Sequence, residues 1–339
     1  MPKIIPKISI NDRDIEILSQ IYNFRYLSTN HLAGMIAPLT DSAGQIKLDI
    51  NGRPEQKYYP GLIEVNRQKG TPATNISARR SVLRRLKQLS DSNYIITIFQ
   101  GLNKPYICAL GQEGSRALAE HCGDPDMAQE RWNEKAQRGE NFRHHELMIA
   151  DFMVCLILAC RGRGDLKIIG QDKIIQRRTL APSLPNSPLS WKVKGHRFVY
   201  SMVPDWAFGL RLTDSAAKQT EKYYFIEADC AGRMPIKRAG FHGSSIHKKI
   251  LGFITSYQNK LIGRNFDFAN FRALFITKGA ERMKNMHRLN QQMHPQGRGY
   301  SFFKFGLSAN YDLRQPETAL SSIWTNGNQA LGEQSDIIN

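Results

Sequence analysis

The chain has 339 residues, with 47 Lys and Arg against 30 Asp and Glu, for a formal net charge of +17. A field of that sign draws polyanions, nucleic acid first and an acidic membrane surface second, and the length suits two domains. The 41% hydrophobic content excludes a disordered chain, and the most apolar run, 147–160, is broken by Asp151 and too short to span a bilayer.

In chain order, Asn11 or Asp12 caps a predicted helix that carries Ile15, Leu18, Ile21 and Tyr22 at helical spacing. Ser28 caps a second, with Leu32, Met35 and Ile36 on one side. Residues 38–73 break the pattern with Pro, Gly, Asn and Lys and are expected to be an inserted loop. A third helix runs from Asn75 or Ser77 to about Ser90. Strands at 94–98 and 106–110 then flank the turn 100–105, as in a hairpin, and a fourth helix covers 112–121. Helix, helix, helix, hairpin, helix is the order of a winged helix-turn-helix.

The third helix is the expected reader of DNA. Val82, Leu83, Leu86 and Leu89 form its apolar stripe, and Arg80, Arg84 and Lys87 share a neighbouring face, with Arg79 and Arg85 flanking them. A helix in this position enters the major groove, where arginines grip phosphates or a guanine edge. Lys104, at the tip of the wing, is expected to meet an adjacent phosphate. The plain alternative is a solvated amphipathic helix whose charges do nothing specific.

Residues 123–141 are polar and predict a linker. From Phe142 a second, mixed α/β domain is expected to run to about 310, opening with an apolar helix to Cys160. Strands are predicted at 166–170, 198–203, 207–212, 223–228 and 272–277, with helices at 245–260 and 280–291. The polar stretch 311–339 is expected to be a surface tail.

Pro204-Asp205 is read as closing one strand and Glu227-Ala228-Asp229 as closing the next long one. Carboxylates on neighbouring strands can share a Mg²⁺ ion, with Asp205 and Glu227 as its ligands, and such a metal polarises a phosphodiester and activates water. Glu227 and Asp229 lie on the same strand face. Lys248 and Lys249 open the following helix, where an ammonium could stabilise developing phosphate charge. His145 reads either as a general base near Asp205 or as a structural histidine. His242 and His247 flank a Gly-rich loop, read as a phosphate contact or as a plain connector.

The spacing of Pro204-Asp205 and Glu227-Ala228-Asp229 resembles the PD-(D/E)XK nuclease pattern. It departs in placing Asp229 where that pattern has lysine: either Lys248 or Lys249 takes over that role, or the site is inactive and the fold is kept as a scaffold or DNA clamp. The chain as a whole resembles the replication-relaxation family of plasmid and mobile-element proteins. The likeness runs through Asp12-Arg13-Asp14-Ile15, the stretch 79–89 with its hairpin, His145, the two acidic motifs, Lys249 with Tyr257, and Ile323-Trp324. It implies an α+β chain, a winged helix at 1–122 joined to a restriction-endonuclease-like domain, that serves plasmid DNA maintenance or its regulation.

Double-stranded DNA is therefore the expected partner, bound without a cofactor, with Mg²⁺ needed only by an active nuclease site. Paired half-sites would suit a homodimer, and other mobile-element proteins are further candidate partners. No Gly-x-x-x-x-Gly-Lys loop marks an NTPase, and no tyrosine sits beside a histidine triad of the relaxase kind. Met1-Pro2-Lys3-Ile4-Ile5-Pro6 lacks a signal core, and the five cysteines form no Cys-x-x-Cys pair. Both features predict a cytoplasmic protein with reduced thiols and no zinc site.

Overall fold

The computed structural model describes residues 8–36, 75–124, 139–161, 163–195, 198–230, 234–238, 243–321, 323–331 and 333–338. The insertion expected at 38–73, most of the 123–141 linker and His242 lie outside them. Among the described residues there are nine helices and three sheets, a mixed α+β architecture. The chain divides into two compact units, residues 1–162 with 312–316, and residues 163–311 with 317–339.

In the first unit, α1 (Asp12–Phe24) starts at a reciprocal capping box. The Asn11 side chain accepts from the Asp14 amide at 3.1 Å, and the Asp14 carboxylate accepts from the Asn11 amide at 3.0 Å. After β1 (Leu27–Ser28), α2 (Thr29–Ile36) is capped the same way, with histidine in the usual Glu position. Ser28 Oγ accepts from the His31 amide at 3.1 Å, and His31 Nδ1 accepts from the Ser28 amide at 3.2 Å. That bond makes Nε2 the protonated nitrogen of the neutral ring, and it faces Asp151 Oδ1 at 2.7 Å.

Helix α3 (Asn75–Asp91) leads into strands β2 (Ile95–Ile98) and β3 (Ile107–Leu110), then α4 (Gln112–Cys122). The strands form an antiparallel sheet in the order β1-β3-β2. Helix α4 packs so tightly under the turn before β2 that a Cβ on Gly114 would come within 2.1 Å of the Tyr94 carbonyl oxygen.

Helix α5 (Glu140–Arg161), expected to open the second domain, belongs to the first unit. It is apolar on most of its circumference and needs cover on several sides. Leu147 joins Tyr26, Ile107 and Ala109 in one buried cluster, Arg25 reaches Glu146 at 3.4 Å, and Arg161 donates to the Met35 carbonyl at 2.7 Å. The division accordingly falls at 162/163 rather than within 123–141.

The second unit is built on a six-stranded sheet in the order β11-β10-β9-β8-β7-β4. Its strands are β4 (Leu166–Ile169), β7 (Trp206–Thr213), β8 (Gln219–Asp229), β9 (Phe271–Thr277), β10 (Phe303–Leu307) and β11 (Thr325–Asn326). Strands β8, β9 and β10 are parallel neighbours, while β7, β4 and β11 pair antiparallel. The short helix α6 (Gln171–Gln176) follows β4. A separate ribbon pairs β5 (Trp191–Lys194) with β6 (Val199–Met202).

One sheet face carries the main core. Tyr223 and Phe225 of β8 meet residues of the ribbon, of α7 (Ile246–Gln258), α8 (Leu261–Phe266) and α9 (Ala280–Met293). Trp191 lies within this aromatic cluster and donates from its indole to Ser256 Oγ at 2.8 Å.

The C-terminal stretch does not behave as a surface tail, because apolar residues spaced through its polar sequence are buried. Ala319, Trp324 and Ile337 are fully buried, Tyr224 donates to the Ile337 carbonyl at 2.9 Å, and Trp324 fills the space over Gly306. The β7–β8 turn is tied by Asp214 Oδ1, which accepts from the amides of Ala216 and Lys218 at 2.9 Å each.

Candidate functional site

The helical periodicity of α3 sorts its side chains as its sequence requires. Val82, Leu86 and Leu89 are buried and Leu83 is half-buried, whereas Arg80, Arg84 and Lys87 are exposed. Lys87 pairs with Asp91 one turn on, at 2.6 Å. The side chain of Arg79 lies outside the described residues. Arg85 turns inward, its Nε donating to Asp14 Oδ1 at 2.8 Å and its Nη2 to Oδ2 at 2.5 Å. The hydrogen bond to Asp14 outweighs burial and raises the pKa of this guanidinium.

Between α3 and the β2–β3 hairpin lies a cleft of about 590 Å³, lined by Leu83, Leu86, Lys87, Thr97, Lys104 and Tyr106 among others. Lys104 is exposed on the hairpin loop, next to an exposed Leu102 and a positive-φ Asn103. Among the described side chains, α3 and this loop show four exposed cations, Arg80, Arg84, Lys87 and Lys104.

The second unit gathers a different set. Asp205 does not close a strand beside β8, because among the described residues β6 pairs only with β5. It sits immediately before β7, and the antiparallel pairing of Trp206 with Ile226 brings the start of β7 alongside the end of β8. Its own amide donates to the Ile226 carbonyl at 3.0 Å, and its Oδ2 accepts from the Ala228 amide at 2.8 Å. Lys249 of α7 places its ammonium between the two acids, 3.3 Å from Asp205 Oδ1 and in close contact with Glu227 Oε2.

Glu227 is 2% exposed, and its Oε1 has no hydrogen-bond partner among the described residues. Burial raises the Glu227 pKa to about 8 despite Lys249. For Lys249, burial opposes the charge, but Asp205 and Glu227 prevail and raise its pKa. Two acids around one ammonium form a neutral cluster when one of them holds a proton, and Glu227 is the one placed to hold it.

The remaining expected residues go elsewhere. Asp229 bonds Arg282 of α9 at 2.6 Å, and Arg282 also reaches the Met234 carbonyl. Lys248 lies 4.7 Å above the Tyr200 ring and 3.5 Å from the Gly243 carbonyl, so the two adjacent lysines diverge. His145, in the first unit, pairs with Glu146 at 3.5 Å. His247 lies in the first turn of α7, where burial and Lys237 lower its pKa. The amides of Ile246 and His247 donate to the carbonyls of Pro235 and Ile236, and Ser245 Oγ accepts from the Lys248 amide. With those amides engaged, the head of α7 is not an open phosphate cradle.

Two participants were not legible in the sequence. Tyr200 donates to the Lys248 carbonyl at 2.6 Å and so braces the first turn of α7, and Arg282 holds Asp229. Neither lies in a motif, since both interactions depend on tertiary packing.

The carboxylates of Asp205 and Glu227 are donors of the kind that Mg²⁺ takes, but the gap between them already holds the Lys249 ammonium. Among the described residues, no group of three or more His, Cys, Asp and Glu side chains gathers to hold a metal. Nor is any of their helices long and apolar enough to cross a membrane. A family model described as replication-relaxation matches residues 68–239, half of the chain. Comparison with curated proteins and with solved structures found no match.

Proposed function

The chain belongs to the replication-relaxation family, and we propose that it is a DNA-binding regulator of a plasmid or mobile element that grips the duplex through a winged helix in its first unit. One observation carries this reading. Arg80, Arg84 and Lys87 are exposed on α3, opposite its buried stripe, and Lys104 stands on the hairpin across the adjoining cleft. That arrangement lets α3 enter a major groove while the hairpin reaches a neighbouring phosphate. The overall charge of +17 and the family's replication theme point the same way. Arg85 is assigned to the fold rather than to DNA.

The test is a gel shift on duplex DNA in EDTA. Binding that weakens steeply with salt and is abolished by Arg80→Ala, Arg84→Ala and Lys87→Ala together is the expected result. Binding indifferent to the triple change would sink the proposal.

A second reading is a Mg²⁺-dependent DNA endonuclease, favoured by the ammonium of Lys249 between Asp205 and Glu227. Asp205 and Glu227 would hold the ion, which would supply Lewis-acid polarisation of a phosphodiester and an activated water. Lys249 would have to leave the gap between the two acids to offer its positive charge to the reacting phosphate, standing in for the lysine that Asp229 replaces. Supercoiled plasmid nicked with Mg²⁺ or Mn²⁺, but not by Asp205→Ala, would establish it. Intact plasmid under both metals would leave the cluster a structural ion pair.

A further inference from the structure

At the β4 edge of the sheet, far from the acid–lysine cluster, four cations crowd into one cleft. Lys167, Lys173, Arg177 and Arg211 line a space of about 400 Å³ together with Ile168 and Ile169. No acid is among its lining residues. Lys167 of β4 lies directly opposite Arg211 of β7, a cross-strand like-charge pair. Such a pairing disfavours folding unless a counter-charge offsets it.

The two arginines are held in place from below. Glu221, the partner of Arg211 on β8, accepts from Arg211 Nε at 2.9 Å and Nη2 at 2.8 Å, and from Arg177 Nη2 at 3.0 Å. Tyr223 donates to Glu221 and accepts from Arg177. Burial opposes the Glu221 charge, but these bonds and the two arginines outweigh it and hold the carboxyl below its usual range. One carboxylate therefore aims two guanidinium groups and leaves a local excess of three positive charges. Lys167 and Lys173 extend beyond them, both exposed.

We propose that this cleft is a second nucleic-acid contact, taking the phosphates of a DNA backbone. Two guanidinium groups fixed by Glu221 and flanked by two exposed ammoniums suit a row of phosphates better than one enclosed anion. Glu221 and Glu227 stand six positions apart on the same face of β8, about 20 Å at the usual strand rise, so the cleft is distinct from the acid–lysine cluster. The proposal rests on the DNA-binding function argued above.

The experiment is a salt titration of duplex binding by the full chain, comparing wild type with Lys167→Gln, Lys173→Gln, which leaves the Glu221 struts intact. Each phosphate deprived of its cation lowers the slope of log affinity against log salt by about 0.9, so the slope of the double variant should fall by about 2. Unchanged slope and affinity, in a variant whose circular dichroism and melting match wild type, would overturn the cleft. A slope that falls in the α3 triple variant but not in this one refutes the cleft alone. No DNA binding by wild type would refute both ideas. Should the double variant melt early, Lys167→Arg, Lys173→Arg must restore the wild-type slope, and failure to do so also counts against the proposal.

Discussion

Arg85 and Asp14 meet as a fork on a fork, with two guanidinium nitrogens on two carboxylate oxygens at 2.8 and 2.5 Å, and Asp14 fully buried. Asp14 also closes the cap of α1, so a single carboxylate joins the start of one helix to the middle of α3. This sets the orientation of α3, and with it the direction in which Arg80, Arg84 and Lys87 point.

Removing Arg85 should therefore damage the fold rather than one interaction with DNA. Arg85→Ala leaves the Asp14 charge buried and unpaired, at a cost of about 3 kcal/mol. Arg84→Ala, on the exposed face, should stay within about 0.5 kcal/mol of wild type while weakening DNA binding. Urea denaturation beside a gel shift separates the two. Equal stability in both variants would mean that the Asp14 pair does not organise α3.

The acid–lysine cluster predicts a pH dependence. The Glu227 pKa is raised by burial to about 8, from 4.5 in the free side chain. The folded state therefore binds more protons than the unfolded state between these values. The stability this group contributes is full below about 4.5 and declines as pH rises through about 8. Glu227→Gln keeps a neutral side chain at every pH and should flatten that decline. Melting curves from pH 5 to 9 will show it, and parallel profiles for the two proteins would refute the assignment of the proton to Glu227.

Lys304 predicts the opposite trend in a higher window. Burial, with Arg272 and Lys222 nearby, lowers its pKa from 10.5 to about 8. The unfolded state then holds the extra proton, so stability should rise from about pH 8 toward 10.5. Lys304→Met should lose that rise. The ammonium also donates to Asn326 Oδ1 at 2.7 Å, the Asp336 carbonyl at 2.8 Å and Ser335 Oγ at 3.2 Å. Those acceptors lose their donor in the variant, at a cost of about 1–3 kcal/mol at neutral pH. Urea titrations at pH 7 and pH 10 test both statements.

Gly114 offers a steric test of the first unit. A methyl group there would press on the Tyr94 backbone at 2.1 Å and on Leu18 at 3.0 Å, and neither the turn nor the core behind it can easily yield. Gly114→Ala should cost about 1–3 kcal/mol, as overpacking does. A neutral effect on the urea midpoint would show that α4 is free to shift.

Most elements were legible because their signals are local. The stripe at Val82, Leu86 and Leu89, the Asn11 and Ser28 caps and the continuous apolar run of β8 depend on neighbours a few residues away. Helix α6 and strand β10 carry no such signal, being short segments fixed by what packs on them, and β5 alternates in burial over only four residues. The same limit applies to the sites. Asp205 and Glu227 stand out as acids at strand ends, yet only the fold distinguishes Lys249 from Lys248, one residue and about 100° of helix apart. Likewise, the sequence places Arg85 among five cations of α3 and gives no sign that its partner lies 71 residues earlier.

The β7–β8 ladder acts as a distant ruler for the acid pair. Asp205 and Glu227 sit at the open end of the β7–β8 hairpin, and their alignment is decided where Thr213 meets Gln219 at the closed end. Lengthening the loop between 214 and 218 should leave the pair untouched, because the rungs keep their partners. Deleting one residue from β7 alone would slide the ladder and turn the side chains before it, Asp205 among them, to the wrong face. The hairpin can therefore accept new loops at one end as a cassette, provided its strands remain equal in length.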